Sequence, residues 1–402
     1  MSNEIIDQLA TPNTTKIVLL VMDGLGGCPA EPGGPTELEA ARTPNLDALA
    51  ASAECGLLDP VYPGVTPGSG PAHLSLFGYD PVAGNIGRGV LSALGVNFPV
   101  QRGDVAARIN FASLDRAGLV TDRRAGRIST GENARLCERI RTGVRLDPSV
   151  EWFIEPEKEH RAVLVLRGDG LSEEVADTDP QKTGVPPLEA LPHAPAAERT
   201  AALVADFLRQ VKALLADEPK ANITLLRGFA AHRHYPTLVE RFRLRSLALA
   251  AYPMYKGLAR LVGMDVREGA ASTAELVGML AAELANYDFF FVHFKETDSR
   301  GEDGDFAAKV AAIEVMDALL PHITALAPDV LAVTGDHSTP AALKGHSWHP
   351  VPLILKSRWS RPDRVTRFDE VSCAGGGLGR MPSLHLMGLM LAGAMRLQKF
   401  GA

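Results

Sequence analysis

The sequence is poor in cysteine, in clustered positive charge and in long apolar runs, and each shortage removes a class of protein. Only Cys28, Cys55, Cys137 and Cys373 occur in 402 residues, with no CxxC spacing. That excludes a zinc knuckle and a disulfide framework and suits thiols in a reducing compartment. The formal net charge is -7, so non-specific nucleic-acid binding is not expected and any anion site must be a local cluster of Arg or Lys. No apolar run approaches membrane-spanning length, and the longest candidate, Leu386–Met395, suits a buried helix. The start, MSNEIIDQLATPNTT, lacks the basic and apolar regions of a signal peptide. Internal repeats and long low-complexity tracts are also missing. The expectation is a cytoplasmic protein with no nucleic-acid or membrane partner; oligomeric state stays open.

What is present is an ordinary globular composition, 46% hydrophobic and 22% charged, on a chain long enough for two domains or one large one. KIVLLVM (Lys16–Met22), YDFFFVHF (Tyr287–Phe294) and VLAV (Val330–Val333) are continuous apolar runs of the kind found in a parallel sheet covered on both faces. Pro44–Ala53, Thr273–Leu284, Phe306–Ala325 and Leu384–Phe400 have helical spacing. From about Gly84 to Ala250 the style changes to strand-like pieces such as VAARINFASLD, RAVLVLRGDG and ANITLLRGFA, separated by polar, Pro-rich stretches. The fold class expected is α/β, a three-layer core with a mostly parallel sheet from residues 1–82 and 251–402, with an α+β domain, 83–250, inserted into it.

Each of the three apolar runs is followed by an acid: Asp23, Asp298 and Asp336. An open α/β sheet binds ligands outside the carboxyl ends of its strands, so these acids converge on one crevice. An isolated Asp more often begins a turn; three at matching places, with Glu302, His337 and His346 close by, suggest two divalent cations. Ser69, in the glycine-rich VYPGVTPGSG before Pro71, stands at a helix start where backbone N–H groups can receive a phosphate. Read alone it is a polar loop residue; beside a metal its hydroxyl would be a nucleophile. His73, one turn on, serves equally as packing or as ligand. Arg108, Arg123, Arg124, Arg127, Arg161, Arg167 and Arg227 fall in the inserted region and suit phosphate or carboxylate. Lys256, among apolar neighbours, reads as a buried charge that needs an anion.

The ordered blocks VMDGLGG, TPGSGPAHLSLFGYDP, YPMYKGLARLVGMDV, VHFKETDSRGEDGDF and TGDHSTPAALKGHSWHPVP resemble the archaeal-type cofactor-independent phosphoglycerate mutases of the alkaline phosphatase superfamily. The similarity covers nearly the whole chain, including INFASLD, DRRAGR, HRAVLVLRGDGLS and ADTDPQKTGVPP of the insert. The resemblance implies an alkaline-phosphatase-like core and the interconversion of 3-phosphoglycerate and 2-phosphoglycerate without bisphosphoglycerate. It implies a transiently phosphorylated Ser69, with Asp23, Ser69, Asp336 and His337 on one metal and Asp298, the residue at 302 and His346 on the other. Lys256, Arg108, Arg123, Arg124, Arg127, Arg161, Arg227, Asp177 and Asp179 would bind the substrate. Two features depart from the family pattern. Glu302 stands where many members have His in TDxxGH, which favours Mn²⁺ or Mg²⁺ over Zn²⁺. Gly70-Pro71 follows Ser69 where members often carry an acid and Thr. A metal-dependent phosphohydrolase or other phosphotransferase on the same core is the alternative.

Overall fold

The computed structural model describes residues 4–82, 87–232, 235–270 and 272–401. The chain divides into two compact units, 1–85 with 236–402, and 86–235. Strands are numbered in chain order. β1 (Ile17–Met22) and β2 (Glu54–Asp59) belong to the first unit; β3 (Val105–Leu114), β4 (Val120–Asp122), β5 (Glu151–Pro156), β6 (Arg161–Arg167) and β7 (Ile223–Ala231) belong to the second. β8 (Ser246–Leu249), β9 (Asp265–Val266), β10 (Phe289–Phe294), β11 (Val330–Thr334), β12 (Val351–Ser357) and β13 (Gly379–Pro382) return to the first.

The first unit holds one sheet in the order β13-β2-β12-β11-β1-β10-β8-β9. Only the β11–β12 and β12–β2 pairings are antiparallel. Every residue of β1, β10 and β11 is buried, which explains why these strands read as unbroken apolar runs rather than alternating ones. Val18, Leu20, Met22, Phe290 and Val292 point to one face, where Leu46, Leu49, Leu276, Ile313, Met316 and Leu320 cover them. Phe291 points the other way and meets the ring of Phe77 at 5.0 Å. Helices thus cover both faces, and each fully buried Leu or Phe contributes about 1.5–3 kcal/mol.

The sequence placed residues 236–250 in the insert; they lie in the first unit instead. β8 pairs in parallel with β10, so its SLAL is a sheet strand too short to show a pattern of its own. The C-terminal helix is also shorter than expected, Leu386–Gly393. Beyond it the Arg396 guanidinium is fully buried and donates to the carbonyls of Asn13 and Thr15, both at 2.9 Å, which ties the two ends of the chain together.

In the second unit β3 is central, pairing antiparallel with β6, β7 and β4. Ala107, Ile109 and Phe111 face a core shared with the helices Thr130–Gly143 and Glu198–Leu214. Ala106 faces the other side, under the helix Arg88–Gly95. Side chains alternate along a strand, so Arg108 shares the face of Ala106. Arg227 lies directly across from Arg108, and Arg161 across from Asn110.

Candidate active site

β10, β1 and β11 lie side by side and parallel, with Met22 opposite Phe294 and Val21 opposite Thr334. Their carboxyl ends emerge at one edge. Asp23 follows β1 directly, Asp336 and His337 follow β11, and Asp298 occupies the first turn of the helix Glu296–Asp303 that leaves β10. Gly24 turns the chain after Asp23 with φ +64, and a Cβ there would lie 2.6 Å from Thr339 Oγ1 and 2.8 Å from Asp298 Cα. Only glycine meets both demands. Its N–H donates to Asp336 Oδ1 at 3.0 Å.

Asp23, Asp336 and His337 form one buried group whose ligand atoms lie within 4.8 Å of one another; Asp298, His337 and His346 form a second. A neutral imidazole offers one lone pair, so His337 can serve only one of them. Thr339 Oγ1 donates its proton to Asp298 Oδ1 at 2.7 Å, and His337 Nδ1, 3.0 Å from the same oxygen, is then the donor to it. The lone pair is left on Nε2, 3.1 Å from Asp336 Oδ2, 3.4 Å from Asp23 Oδ1 and 3.2 Å from Ser69 Oγ. His346 Nδ1 donates to the Pro67 carbonyl at 2.9 Å, which leaves its Nε2 free 3.6 Å from Asp298 Oδ1. Ser69 is the first residue of the helix Ser69–Leu76.

Burial pulls His337 below its usual range. Burial pushes the Asp23 carboxyl up, but Lys295, His293 and His337 outweigh it and hold the group well below the usual carboxylate range. Asp336 is likewise lowered, by His337 and His73 against burial and Asp23. Lys295 Nζ lies 3.0 Å from Asp23 Oδ2 and 3.2 Å from the Tyr255 hydroxyl, and also pairs with Asp298. Asp23 Oδ1 and His73 Nε2 are buried and make no hydrogen bond among the described residues, while the buried Asp23 Oδ2 lies 3.0–3.2 Å from the Lys295 and His293 nitrogens and Asp336 Oδ2 lies 3.1–3.2 Å from those of His337 and His73. Unsatisfied buried polar atoms cost about 1–3 kcal/mol each, and here carboxylate oxygens and imidazole lone pairs point inward together. That donor set fits a divalent cation.

The structure therefore brings Asp23, Ser69, Asp298, Asp336, His337 and His346 together, with His73 beside them: its Nδ1 donates to the Ser69 carbonyl at 2.9 Å and lies 3.2 Å from Asp336 Oδ2. Glu302 and Lys256 are not among these residues. Glu302 is exposed near the end of its helix and joins neither candidate group, so the second group keeps Asp298 and His346 as donors it does not share. Lys256 is largely buried and has an anion of the protein's own: its ammonium pairs with Glu268, which Arg260 also holds at 2.7 Å. The next residue back, Tyr255, is the one that enters the cluster, its ring 3.9 Å from that of His293.

In the second unit Arg88, Arg108, Arg161 and Arg227 gather with Asp177. Partial burial and the charges of the other three arginines push Arg88 down to about 10. Arg108 Nε donates to Ser92 Oγ at 3.0 Å, and Asp177 accepts the Gly228 N–H at 2.6 Å. Arg123 and Asp179 are engaged with each other through two bonds of 2.8 and 2.7 Å. Arg124 and Arg127 lie close enough to His160 to depress its pKa. Arg167 is paired with Asp104 at 2.8 and 2.7 Å. Sequence reasoning missed Lys295, Tyr255, His293, Thr339 and Arg88. Lys295 and His293 had a signal, since both close the same strand that leads to Asp298.

Fold and site define the class: an α/β enzyme with oxygen and imidazole ligands and a serine hydroxyl gathered at the carboxyl edge of a mostly parallel sheet. A family model for 2,3-bisphosphoglycerate-independent phosphoglycerate mutase matches residues 50–221. A Thermus thermophilus protein named as a probable 2,3-bisphosphoglycerate-independent phosphoglycerate mutase is 52% identical over 401 residues, 99% of each chain. Among solved structures, the PH0037 protein from Pyrococcus horikoshii is 31% identical with a TM-score of 0.84, covering 97% of this chain and 100% of that one. The cofactor-independent phosphoglycerate mutase from Thermoplasma acidophilum is 29% identical with a TM-score of 0.69, covering 94% and 100%. The chain belongs to the 2,3-bisphosphoglycerate-independent phosphoglycerate mutase family.

Proposed function

We propose that the chain interconverts 3-phosphoglycerate and 2-phosphoglycerate through a phosphorylated Ser69, with no bisphosphoglycerate required. Beside the family membership, one observation carries this reading: Ser69 Oγ lies 3.2 Å from His337 Nε2, the lone pair shared with Asp23 and Asp336. Asp23, Ser69, Asp336 and His337 would hold one divalent cation, and Asp298 with His346 are available to a second. Carboxylate, hydroxyl and imidazole donors suit Mn²⁺ or Mg²⁺. Such cations, when bound, lower the pKa of the serine hydroxyl and neutralise phosphoryl charge.

The chain's own residues do the rest. Ser69 Oγ forms a bond to phosphorus as the substrate's O–P bond breaks, and glycerate leaves with a proton on its freed hydroxyl. The other hydroxyl of glycerate then attacks the phosphoserine and restores Ser69. The Gly70 N–H next to Ser69 is available to the transferring group, Pro71 having no N–H and the Ala72 N–H donating to the Gly68 carbonyl at 3.2 Å, and Lys295 supplies a fixed positive charge beside Asp23 and Asp298. The arginine face of β3, β6 and β7 has the charge to hold a carboxylate or phosphate. Water must be kept from the phosphoserine, or the outcome is hydrolysis.

The test is conversion of 3-phosphoglycerate with Mn²⁺, Mg²⁺, Co²⁺ or Zn²⁺ supplied in turn and no bisphosphoglycerate added. Formation of 2-phosphoglycerate is expected. Net release of inorganic phosphate without it would favour a metal-dependent phosphohydrolase.

A further inference from the structure

Lys309 lies on the helix Phe306–Thr324, outside the ligand groups, yet its side chain is fully buried. A buried ammonium is costly unless its donors are used and its charge is balanced. Here Nζ donates to the carbonyls of Gly26 at 2.9 Å and Thr339 at 2.8 Å. Gly26 belongs to the loop after β1, which starts at Asp23; Thr339 belongs to the loop after β11, which carries Asp336 and His337. The Thr339 N–H also donates to the Gly26 carbonyl, at 3.0 Å. One cation therefore ties together the two loops that carry the buried ligand group.

The surroundings are built for that charge. Glu37 is fully buried and accepts the Ala341 N–H at 2.6 Å, while Glu370 accepts the Gly27 N–H at 2.8 Å and the Thr36 hydroxyl at 2.8 Å. Both carboxylates oppose the effect of burial on Lys309. Glu37 and Glu370 thus fasten the far sides of the same two loops that Lys309 joins.

Thr339 connects this cluster to the chemistry. Its carbonyl is held by Lys309, while its hydroxyl donates to Asp298 and receives His337 Nδ1. We propose that Lys309 is a positioning residue for the metal centre, acting through Thr339 to hold His337 with Nε2 turned toward Asp23, Asp336 and Ser69. The inference rests on the functional reading above, since it assumes that these residues bind a cation. Partners that orient a ligating imidazole are worth about 10–100-fold in metal affinity.

The test is calorimetric titration of the full-length chain with Mn²⁺, alongside the Mn²⁺ dependence of mutase activity. Lys309→Met should weaken Mn²⁺ binding about ten-fold or more, with kcat recovering toward wild type once Mn²⁺ saturates. Thr339→Val, which keeps the shape and removes the hydroxyl, should show the same weakening, and Thr339→Ser should restore it. The double variant Lys309→Met/Thr339→Val should bind Mn²⁺ no more weakly than the weaker single variant. A Lys309→Met or Thr339→Val chain that titrates like wild type overturns the proposal, and so does additive weakening in the double variant. If Lys309→Met does not fold, the Thr339 pair decides alone. Wild-type protein that binds no Mn²⁺ overturns the functional reading itself, a result distinct from unchanged affinity in the variants.

Discussion

Gly24→Ala isolates the close packing that draws the acids together. The residue has φ +64 and its added Cβ would sit 2.6 Å from Thr339 Oγ1 and 2.8 Å from Asp298 Cα. Two costs combine. The left-handed backbone costs a residue with a Cβ about 1–2 kcal/mol, and forcing an atom into a filled site costs typically about 1–3 kcal/mol more. The contact to Asp298 is with main chain, which cannot swing aside as the end of a flexible side chain would. Gly118 separates the two costs: its φ is +80, but nothing lies within 4 Å of a Cβ built there. Gly118→Ala should lose about 1–2 kcal/mol in urea unfolding and keep its kcat/KM. Gly24→Ala should lose about 2–5 kcal/mol and about 100-fold in kcat/KM, the effect expected from displacing reacting groups by about 1 Å. A Gly24→Ala enzyme as stable and active as Gly118→Ala would refute the claim that the approach of these loops sets the site.

Glu302 is exposed and apart from both ligand groups, so Glu302→Ala should leave bound-metal content unchanged and activity within about two-fold, the range of a surface substitution; loss of a bound equivalent would contradict that placement. His160, buried and surrounded by Arg161, Arg124 and Arg127, is pushed from its ordinary 6.5 down to about 4, burial being the largest cause. Between those two values the unfolded chain binds the proton and the folded one does not, so stability should fall as pH drops from about 6.5 toward about 4. His160→Gln should flatten that part of the unfolding profile; an unchanged slope would remove His160 as its source.

Much of the site was legible because it sits on strands buried on both faces. Such strands leave runs like IVLLVM and FFFVHF, and the residues just past them mark the carboxyl edge where Asp23, Asp298 and Asp336 meet. Ser69 was legible from the helix start that Pro71 marks. Lys256 was legible as a buried charge in need of an anion, but its partner, Glu268, sits beyond the next strand, where sequence pattern carries no pairing information. Lys309 was invisible, since a lysine in FAAKVAAIEV looks like the solvent side of an amphipathic helix. Its burial depends on carbonyls from two loops distant in sequence. The role expected for Glu302 came from its spacing after Asp298 as well as from family likeness, and its exposure at the end of a short helix could not be read from that spacing. Residues 236–250 were assigned to the wrong unit because four-residue β8 has too little pattern to reveal its partner.

The most direct measurement is the mass of the enzyme after rapid quenching with 3-phosphoglycerate and Mn²⁺, followed by peptide mapping. One added phosphoryl group is expected on Ser69, absent along with mutase activity in Ser69→Ala. Undiminished turnover by Ser69→Ala, or a phosphoryl group mapped to another residue, would contradict it.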